Sequence, residues 1–182
     1  QSGNNKQLTA MRRRYRRELY AERVALIKRL IPHCCIGVDA IVGFPGETEE
    51  DFLETYRFIN EMEVSYLHVF TYSERPNTPA AEMPGVVLVE ERRRRNQMLT
   101  FLSEKKRRYF YEQHLGETRP VLFEHSTAAG RMSGFTDNYI RIESPLIPEH
   151  LNTIQVTSLK NINGKGNVEI EALITATIGG GE

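Results

Sequence analysis

The hydrophobic periodicity of the sequence changes near Gly116, and this change constrains the fold more than any other feature. Before Gly116, apolar residues recur every three to five positions in three stretches, the period of an amphipathic helix, and two short apolar runs separate these stretches. After Gly116, short β-rich runs alternate with a period of about two and are separated by turn residues. The sequence therefore predicts an α/β segment, residues 1–116, followed by a small all-β domain, residues 117–182.

The first segment is predicted to run helix, strand, helix, strand, helix. Thr48, followed three residues later by Asp51, resembles a capping box at the start of the second helix. Two α/β repeats are too few to close a parallel sheet around a core, so we expect further repeats upstream of Gln1. The predicted elements are a helix from Leu8 to Ile31, a strand from Cys35 to Phe44 covered on both faces, a helix after Thr48, a strand from Tyr66 to Tyr72, a loop over 73–85 and a helix from Val89 to Leu115.

The second segment carries the signals of several short strands joined by tight turns. Turn chemistry occurs at Asp137-Asn138 and over residues 163–167. Such a pattern is typical of a small antiparallel barrel or sandwich of about 60 residues. The predicted strands are Arg119 to Phe123, Tyr139 to Glu143, Thr153 to Leu159 and Val168 to Ile174.

The formal net charge is zero, but the charges are unevenly distributed along the chain. Residues 1–31 hold nine basic and two acidic residues, residues 37–65 hold one basic and eight acidic residues, and residues 89–114 hold eight basic and four acidic residues. This alternation is typical either of a surface that faces a polyanion or of the solvated faces of amphipathic helices. The charge pattern alone leaves both interpretations open.

Cysteine and histidine placement gives no sign of a metal centre or of a nucleophilic catalytic group. Cys34 and Cys35 are adjacent, which suits neither a structural disulfide nor a spaced metal site, so we expect redox-silent thiols in a reducing, cytoplasmic compartment. The five histidines lack the spacing of metal ligands. No apolar run reaches about 18 residues, so membrane insertion is not expected.

The segment Asp39 to Phe52 has the pattern of a ligand shelf, a buried strand followed by a glycine-containing turn and a helix. Gly43 and Gly46 would let the backbone approach a flat ligand, and Ile41 and Phe44 would offer apolar contact to an aromatic ring. The lysine of a phosphate-binding loop is absent, and the acidic residues that follow would repel phosphate. On pattern alone, the interpretation that this segment is a purely structural strand–turn–helix stays open.

Four ordered motifs resemble those of the radical S-adenosylmethionine (SAM) methylthiotransferase family. Gly-Phe-Pro-Gly-Glu-Thr-Glu-Glu-Asp-Phe at 43–52 resembles the family's fifth barrel strand and its turn. Gln-Ser-Gly at 1–3 with Met-Arg-Arg at 11–13 resembles the preceding unit, and residues 70–80 resemble the sixth strand and its loop. Residues from about 117 resemble the TRAM domain, an OB-like RNA-binding barrel. Gly-Phe-Thr-Asp-Asn-Tyr-Ile-Arg at 134–141 is most similar to the group that modifies N6-threonylcarbamoyladenosine in tRNA (MtaB).

The resemblance implies a fold, an activity and a set of cofactors. Residues 1–116 would form the C-terminal portion of a radical SAM (β/α) barrel, and residues 117–182 a TRAM-like domain. The intact enzyme would replace the C2 hydrogen of an adenine next to the tRNA anticodon with a methylthio group, using SAM and [4Fe–4S] clusters. The family's Cys-x3-Cys-x2-Cys cluster ligands have no counterpart in this sequence. We therefore expect an inactive piece of a longer enzyme with no catalytic residue and no metal ligand of its own.

The resemblance also implies binding residues and partners. The partners would be SAM and tRNA, and a truncated barrel with an open sheet edge would tend to self-associate. Arg16, where relatives often have threonine, cannot cap a helix through its side chain. The implied SAM contacts are Gln1, Ser2, Ile41, Val42, Gly43, Phe70 and Tyr72, with Arg75 and Thr78 close to cofactor or substrate; the implied RNA contacts are Arg119, Arg131, Tyr139, Arg141, Lys160 and Lys165.

Two alternatives to this function stay open from the sequence. The chain could belong to a non-enzymatic RNA-binding module, since its second segment alone would suffice for that role. It could also belong to a related methylthiotransferase that acts on an aspartate of a ribosomal protein, with the second segment holding protein instead of RNA.

Overall fold

The chain forms two compact units, residues 1–107 and residues 108–182. A computed structural model describes residues 1–127 and 130–171. The boundary between the two units lies inside the long helix Val89–Glu112. The change in hydrophobic periodicity near Gly116 lies further along the chain, where the strands of the second unit begin. The domain limits 1–116 and 117–182 stay a prediction.

The first unit is built on a pair of parallel strands flanked by helices. Strand β1 pairs with β2 in register from Gly37 opposite Tyr66 to Val42 opposite Thr71. From β1 onward, the helix and strand order agrees with the order predicted from the hydrophobic periodicity. The elements are α1 Asn5–Ala10, α2 Arg17–Leu30, β1 Gly37–Val42, α3 Glu49–Glu61, β2 Tyr66–Thr71 and the start of α4 Val89–Glu112, with a short 3-10 turn at Pro79–Glu82.

The core of this unit lies on one face of the two strands. Val38, Ala40 and Val42 are buried, whereas the alternate residues of β1 are exposed or half-buried. The prediction that this strand is covered on both faces is therefore wrong for the part of the chain described. The buried face packs with apolar residues of α3 and α4, namely Phe52, Ile59, Leu99 and Leu102.

The single helix predicted from Leu8 to Ile31 is wrong, because the chain breaks it after Ala10. Arg12 has a left-handed backbone, φ 55°, and Arg13 N donates a hydrogen bond back to Leu8 O at 2.9 Å. These features end α1 in a Schellman-type motif. The Asn5 side chain then accepts a hydrogen bond from Arg17 N at 2.9 Å, so a residue of α1 supplies the cap that Arg16 cannot provide.

The capping box predicted at the start of α3 is confirmed. The Thr48 hydroxyl accepts from Asp51 N at 3.2 Å, and the Asp51 carboxylate accepts from Thr48 N at 3.0 Å. This reciprocal pair satisfies two donors at the helix start and fixes where the turn after β1 ends.

In the second unit, the strands described within 108–127 and 130–171 close a barrel in the order β3-β4-β5-β7-β6. The predicted small β-barrel is confirmed, although β5 pairs with β7 in parallel and the other neighbours are antiparallel. Part of the predicted last strand, residues 172–174, lies outside the described residues. The strands are β3 Thr118–Thr127, β4 Arg131–Thr136, β5 Arg141–Pro145, β6 Ile154–Ile162 and β7 Val168–Ile170.

Strand β4 is absent from the sequence-based prediction. It contains Gly134, at a point where the backbones of β3 and β4 lie very close together. A Cβ placed on Gly134 would lie 2.0 Å from Leu122 O of β3, so only glycine fits between the two backbones. The register of β3 against β4 shifts between Phe123 and His125, just beside this contact. The barrel core contains Val121, Phe123, Met132, Ile140, Ile142, Leu159 and Val168. Among the described residues, no helix has the length and apolar character needed to cross a membrane.

Candidate functional site

A cleft of about 770 Å³ lies at the carboxyl ends of the two parallel strands of the first unit. This edge is where open α/β sheets bind ligands, and the volume falls within the usual range for small-molecule sites. Ile41 of β1 and Phe70 and Thr71 of β2 reach it directly. The loop after β2 and the end of α1 complete the wall, through Ser73, Arg75, Thr78, Pro79, Ala80 and Met83 on one side and Thr9 to Arg13 on the other.

Aromatic side chains form the apolar part of this cleft. Phe44 and Tyr72, each just after its strand, pack edge to face with ring centroids 5.3 Å apart. Phe70 is 52% exposed, although it lies in a strand. The Tyr72 hydroxyl is buried and has no hydrogen-bond partner within the described residues. The cleft thus combines apolar surface for a planar ring with one unsatisfied polar atom.

Arginines are the charged residues among those that line the cleft. Arg12, Arg13 and Arg75 belong to the lining, and no aspartate or glutamate does. All three arginines are exposed, and the described part of the chain offers none of them an ion-pair partner. The cleft therefore presents positive charge without an internal counter-charge.

Arg92 of α4 holds the strand ends from behind the cleft. Its Nη1 donates to Tyr72 O at 3.0 Å, its Nε donates to Val87 O at 2.7 Å, and its side chain lies against Gly43. A Cβ on Gly43 would be 2.4 Å from Arg92 Cγ, and Gly43 has φ 76°. The Arg92 guanidinium also lies 5.4 Å from the centre of the Tyr72 ring and pairs with Glu74.

A buried ion pair fixes the turn that follows β1. Arg95 Nη1 lies 2.6 Å from Glu47 Oε1, and the same carboxylate oxygen accepts from Gly43 N at 3.0 Å. Burial raises the pKa of Glu47, opposed by the hydrogen bond from Gly43 and by Arg95. Arg92 and Arg95 were not predicted as site residues from the arginine run at 92–95. Their spacing of three on one helix face, with Glu91 four residues before Arg95, is a sequence signal that could have identified them.

The structure places three of the seven predicted SAM contacts in the cleft wall. Ile41, Phe70 and Tyr72 line it. Val42 is buried in the core, and Gly43 faces Arg92 with its N–H bound to Glu47, so neither belongs to the lining. Arg75 and Thr78, the two loop residues predicted to lie near cofactor or substrate, both line the cleft.

Gln1 and Ser2 line a different and smaller cavity, of about 180 Å³. The main chain of Gln1 nonetheless runs beside β1, since Ile41 N donates to Gln1 O at 2.9 Å. The Ser2 hydroxyl is 2.9 Å from the Thr55 hydroxyl. The main chain of Gln1 is therefore hydrogen-bonded to β1, but Gln1 and Ser2 line a different cavity from the one that the predicted contacts on β1 and β2 line.

On the barrel, ion pairs engage four of the six residues predicted to contact RNA. Arg119 contacts Glu117 at 2.8 Å and Asp137 at 3.0 Å. Lys160 lies 2.7 Å from Glu171. Arg131 and Lys165 both contact Glu143, at 2.8 Å and 3.1 Å.

The other two predicted residues, Tyr139 and Arg141, lie exposed beside the aromatic ring of Phe135, which is not among the residues predicted from the sequence. Phe135 is directly opposite Arg141 across β4 and β5, and its ring centroid is 6.3 Å from that of Tyr139. Tyr139 is 68% exposed. We call Phe135, Tyr139 and Arg141 the barrel platform. Exposed apolar residues of the neighbouring strands continue it, namely Leu122, Ile154 and Val156.

Cys34 and Cys35 are free and half-buried, and burial raises the pKa of Cys35. Within residues 1–127 and 130–171, no group of three or more His, Cys, Asp or Glu side chains is arranged to hold a metal ion.

The fold and the cleft define the class of this protein: an α/β unit with a cleft at its strand ends, followed in the same chain by a closed β-barrel. No family model matches the chain. The chain is 40% identical over 146 residues to the threonylcarbamoyladenosine tRNA methylthiotransferase MtaB of Bacillus subtilis, covering 78% of this chain and 32% of that protein.

Two further relatives give similar values. The MtaB protein of Aquifex aeolicus is 42% identical over 144 residues, 79% of this chain and 34% of its own length. The tRNA-2-methylthio-N(6)-dimethylallyladenosine synthase of Pelotomaculum thermopropionicum is 42% identical over 135 residues, 74% of this chain and 30% of its own length. The chain belongs to the methylthiotransferase family of radical SAM proteins, which confirms the resemblance drawn from its motifs. It spans about a third of the length of these curated relatives.

Proposed function

We propose that the whole protein is a radical SAM methylthiotransferase that modifies N6-threonylcarbamoyladenosine next to the anticodon of tRNA, in the cytoplasm. The residues described here would supply the SAM-facing strand ends of a partial (β/α) barrel and a TRAM-like, RNA-binding barrel. The cleft at the ends of β1 and β2, in a chain of this family, is the observation that carries the proposal. The two MtaB relatives favour the threonylcarbamoyl nucleoside.

The cleft fits the nucleoside part of SAM. Phe44, Phe70 and Tyr72 offer aromatic surface to an adenine ring, and Ile41 adds apolar contact. The orphan Tyr72 hydroxyl would find a partner in a polar atom of such a ligand. When bound, SAM would supply the methyl group and the radical that removes the C2 hydrogen of the substrate adenine in the tRNA. The role of this chain would be to hold the reacting groups in place and to keep water away from them.

The residues present do not fit an iron–sulfur cluster. The sequence holds two cysteines, and they are adjacent. A [4Fe–4S] cluster needs several thiolates that converge on one point, and two adjacent cysteines cannot supply them. We therefore assign the cluster ligands to the part of the whole protein that lies outside this chain, and no reaction step to Cys34 or Cys35.

The barrel platform supports RNA as the partner of the second unit. Exposed aromatic rings next to an arginine are the surface on which single-stranded bases stack. Phe135, Tyr139 and Arg141 provide that combination on one face. The same platform favours the second candidate function, an RNA-binding module without catalysis. A ribosomal-protein substrate has no specific support among these contacts.

Nucleoside analysis of tRNA tests the proposed function. The whole protein, with its clusters reconstituted, is incubated with SAM and with tRNA that carries either the threonylcarbamoyl or the dimethylallyl nucleoside, and the digested tRNA is examined by mass spectrometry. We expect the methylthio mass shift on the threonylcarbamoyl nucleoside. A shift on the dimethylallyl nucleoside alone would change the substrate assignment. Binding of tRNA without any shift would favour the non-enzymatic module.

A further inference from the structure

The three arginines that line the cleft, Arg12, Arg13 and Arg75, form a charged edge that we call the arginine rim. The two arginines that hold the strand ends from α4 have ion-pair partners: Arg92 pairs with Glu74, and Arg95 with Glu47. In the described part of the chain, no carboxylate lies within ion-pair distance of the rim arginines. Their charge is therefore available to a ligand.

Arg12 occupies a backbone conformation that arginine does not favour. It is the first residue beyond the α1 C-cap, where Arg12 N donates to Thr9 O and Arg13 N donates to Leu8 O, each at 2.9 Å. This position in a Schellman motif is normally glycine, because a side chain at φ 55° is strained. A strained residue at the wall of a cleft is a reason to look for a function of its side chain.

A ligand that pairs with the whole arginine rim must carry more than one negative charge, so the rim requires a second ligand beside the nucleoside part of SAM. SAM carries one carboxylate and a sulfonium cation, so it cannot satisfy three unpaired arginines. A polynucleotide meets this requirement, because phosphodiester groups lie on either side of the base that is presented to SAM at the strand ends. Arginine suits phosphodiester groups because the planar set of N–H donors in its guanidinium matches phosphate oxygens.

We propose that the arginine rim binds the phosphodiester groups that flank the target nucleotide of the RNA, and so positions that nucleotide at the strand ends. The proposal rests on the proposed function, since it takes the cleft to be the place where RNA is modified. The rim would be an RNA contact of the first unit, additional to the barrel platform.

The test uses the whole protein and a set of charge-removing variants. Arg12→Gly removes the charge and also suits the left-handed backbone, so thermal unfolding should be unchanged or shifted upward. Arg13→Gln and Arg75→Gln remove the other two charges, and Arg12→Lys restores the charge at position 12. Arg23→Gln is the matched control, because Arg23 is exposed on α2 without an ion-pair partner in the described residues and does not line the cleft.

Affinity for an anticodon stem-loop RNA is measured over a range of salt concentrations, together with affinity for SAM. Each rim arginine that contacts a phosphate should lower the slope of log affinity against log salt by about one when it is removed. Arg12→Lys should recover the slope, and Arg23→Gln should leave it unchanged. SAM affinity should be the same in every variant.

Three results would overturn the proposal in distinguishable ways. If RNA binds but the slope is unchanged in a variant that combines Arg12→Gly, Arg13→Gln and Arg75→Gln, the rim does not contact phosphates and the proposed function still stands. If the variants lose SAM affinity instead, the arginines hold the carboxylate of the cofactor. If the unaltered protein binds no RNA, the rim assignment and the proposed function both fail.

Discussion

At the scale of single residues, Arg92 connects more of the candidate site than any predicted contact does. Its side chain joins Tyr72 O, Val87 O and Glu74, and it fills the space behind Gly43. Because its side chain is only 5% exposed, these donors could not be satisfied by water if one partner moved. The positions of Gly43 and Tyr72, at the ends of neighbouring strands, are therefore coupled through one guanidinium.

Replacing Gly43 by alanine tests this coupling. The Gly43→Ala variant should lose about 1–2 kcal/mol of unfolding free energy from backbone strain at positive φ, and more from the collision with Arg92. Gly46→Ala is the matched control, since Gly46 has φ 78° and no atom within 4 Å of its would-be Cβ. Urea unfolding of both variants gives the difference. Equal losses would mean that Arg92 moves aside freely and does not fix the strand end.

At the scale of elements, the predictions succeeded where local chemistry decides the structure. The Thr48–Asp51 capping box and the apolar runs of β1 and β2 act within a few residues, and each is present in the structure. The break after α1 was missed because the apolar spacing continues through it, while the break depends on the left-handed Arg12 and on the Asn5 cap. Strand β4 was missed because Gly134 lowers strand propensity, and its role is visible only against β3.

Glu143 of β5 links three elements of the barrel, and its ionisation makes their stability depend on pH. Hydrogen bonds from Asn167, Lys165 and Asn163 lower the pKa of Glu143 to about 2, and Arg131 of β4 lies 2.8 Å away. A carboxylate with a lowered pKa stabilises the folded state above its unfolded pKa of about 4.3, and this contribution is lost as pH falls toward 2.

The Glu143→Gln variant should therefore be less stable than the unaltered protein at neutral pH, with the difference shrinking between pH 5 and pH 2. Thermal unfolding of both proteins across this range measures the effect. Glu124→Gln is the control, because Glu124 is an exposed carboxylate on β3 without an ion-pair partner in the described residues. A difference that is constant with pH would contradict the assigned role of the Glu143 charge.

At the scale of the whole molecule, the sequence predicted the family and the location of the site better than the individual residues that line it. The motifs led to the correct family and to the carboxyl ends of the strands, because parallel strands bring their ends to one edge whatever their side chains are. Of the rim arginines, Arg75 was predicted, whereas Arg12 and Arg13 were missed, as was Phe135. The ion pairs of Arg119 and Lys160 could not be anticipated. Whether a basic residue is free for a ligand depends on carboxylates brought near by the fold, which a linear charge count does not contain.

RNA binding by the barrel should therefore separate into a stacking part and a charge part. Tyr139→Asn removes the ring while keeping a residue that tolerates φ 63°, so the barrel should stay folded. We expect affinity for single-stranded RNA to fall by about 1–3 kcal/mol with an unchanged salt dependence, since stacking releases no counterions.

Arg141→Gln should instead lower the slope of log affinity against log salt concentration by about one, because Arg141 is exposed and its guanidinium can pair with a phosphate. Lys160→Gln is the matched control on the same barrel, since Glu171 already lies 2.7 Å from its ammonium group and neutralises much of the charge. Titrations of RNA into the whole protein at several salt concentrations distinguish the three variants. A larger slope change for Lys160→Gln than for Arg141→Gln would show that RNA displaces the internal ion pairs and that exposed, unpaired charge does not mark the binding face.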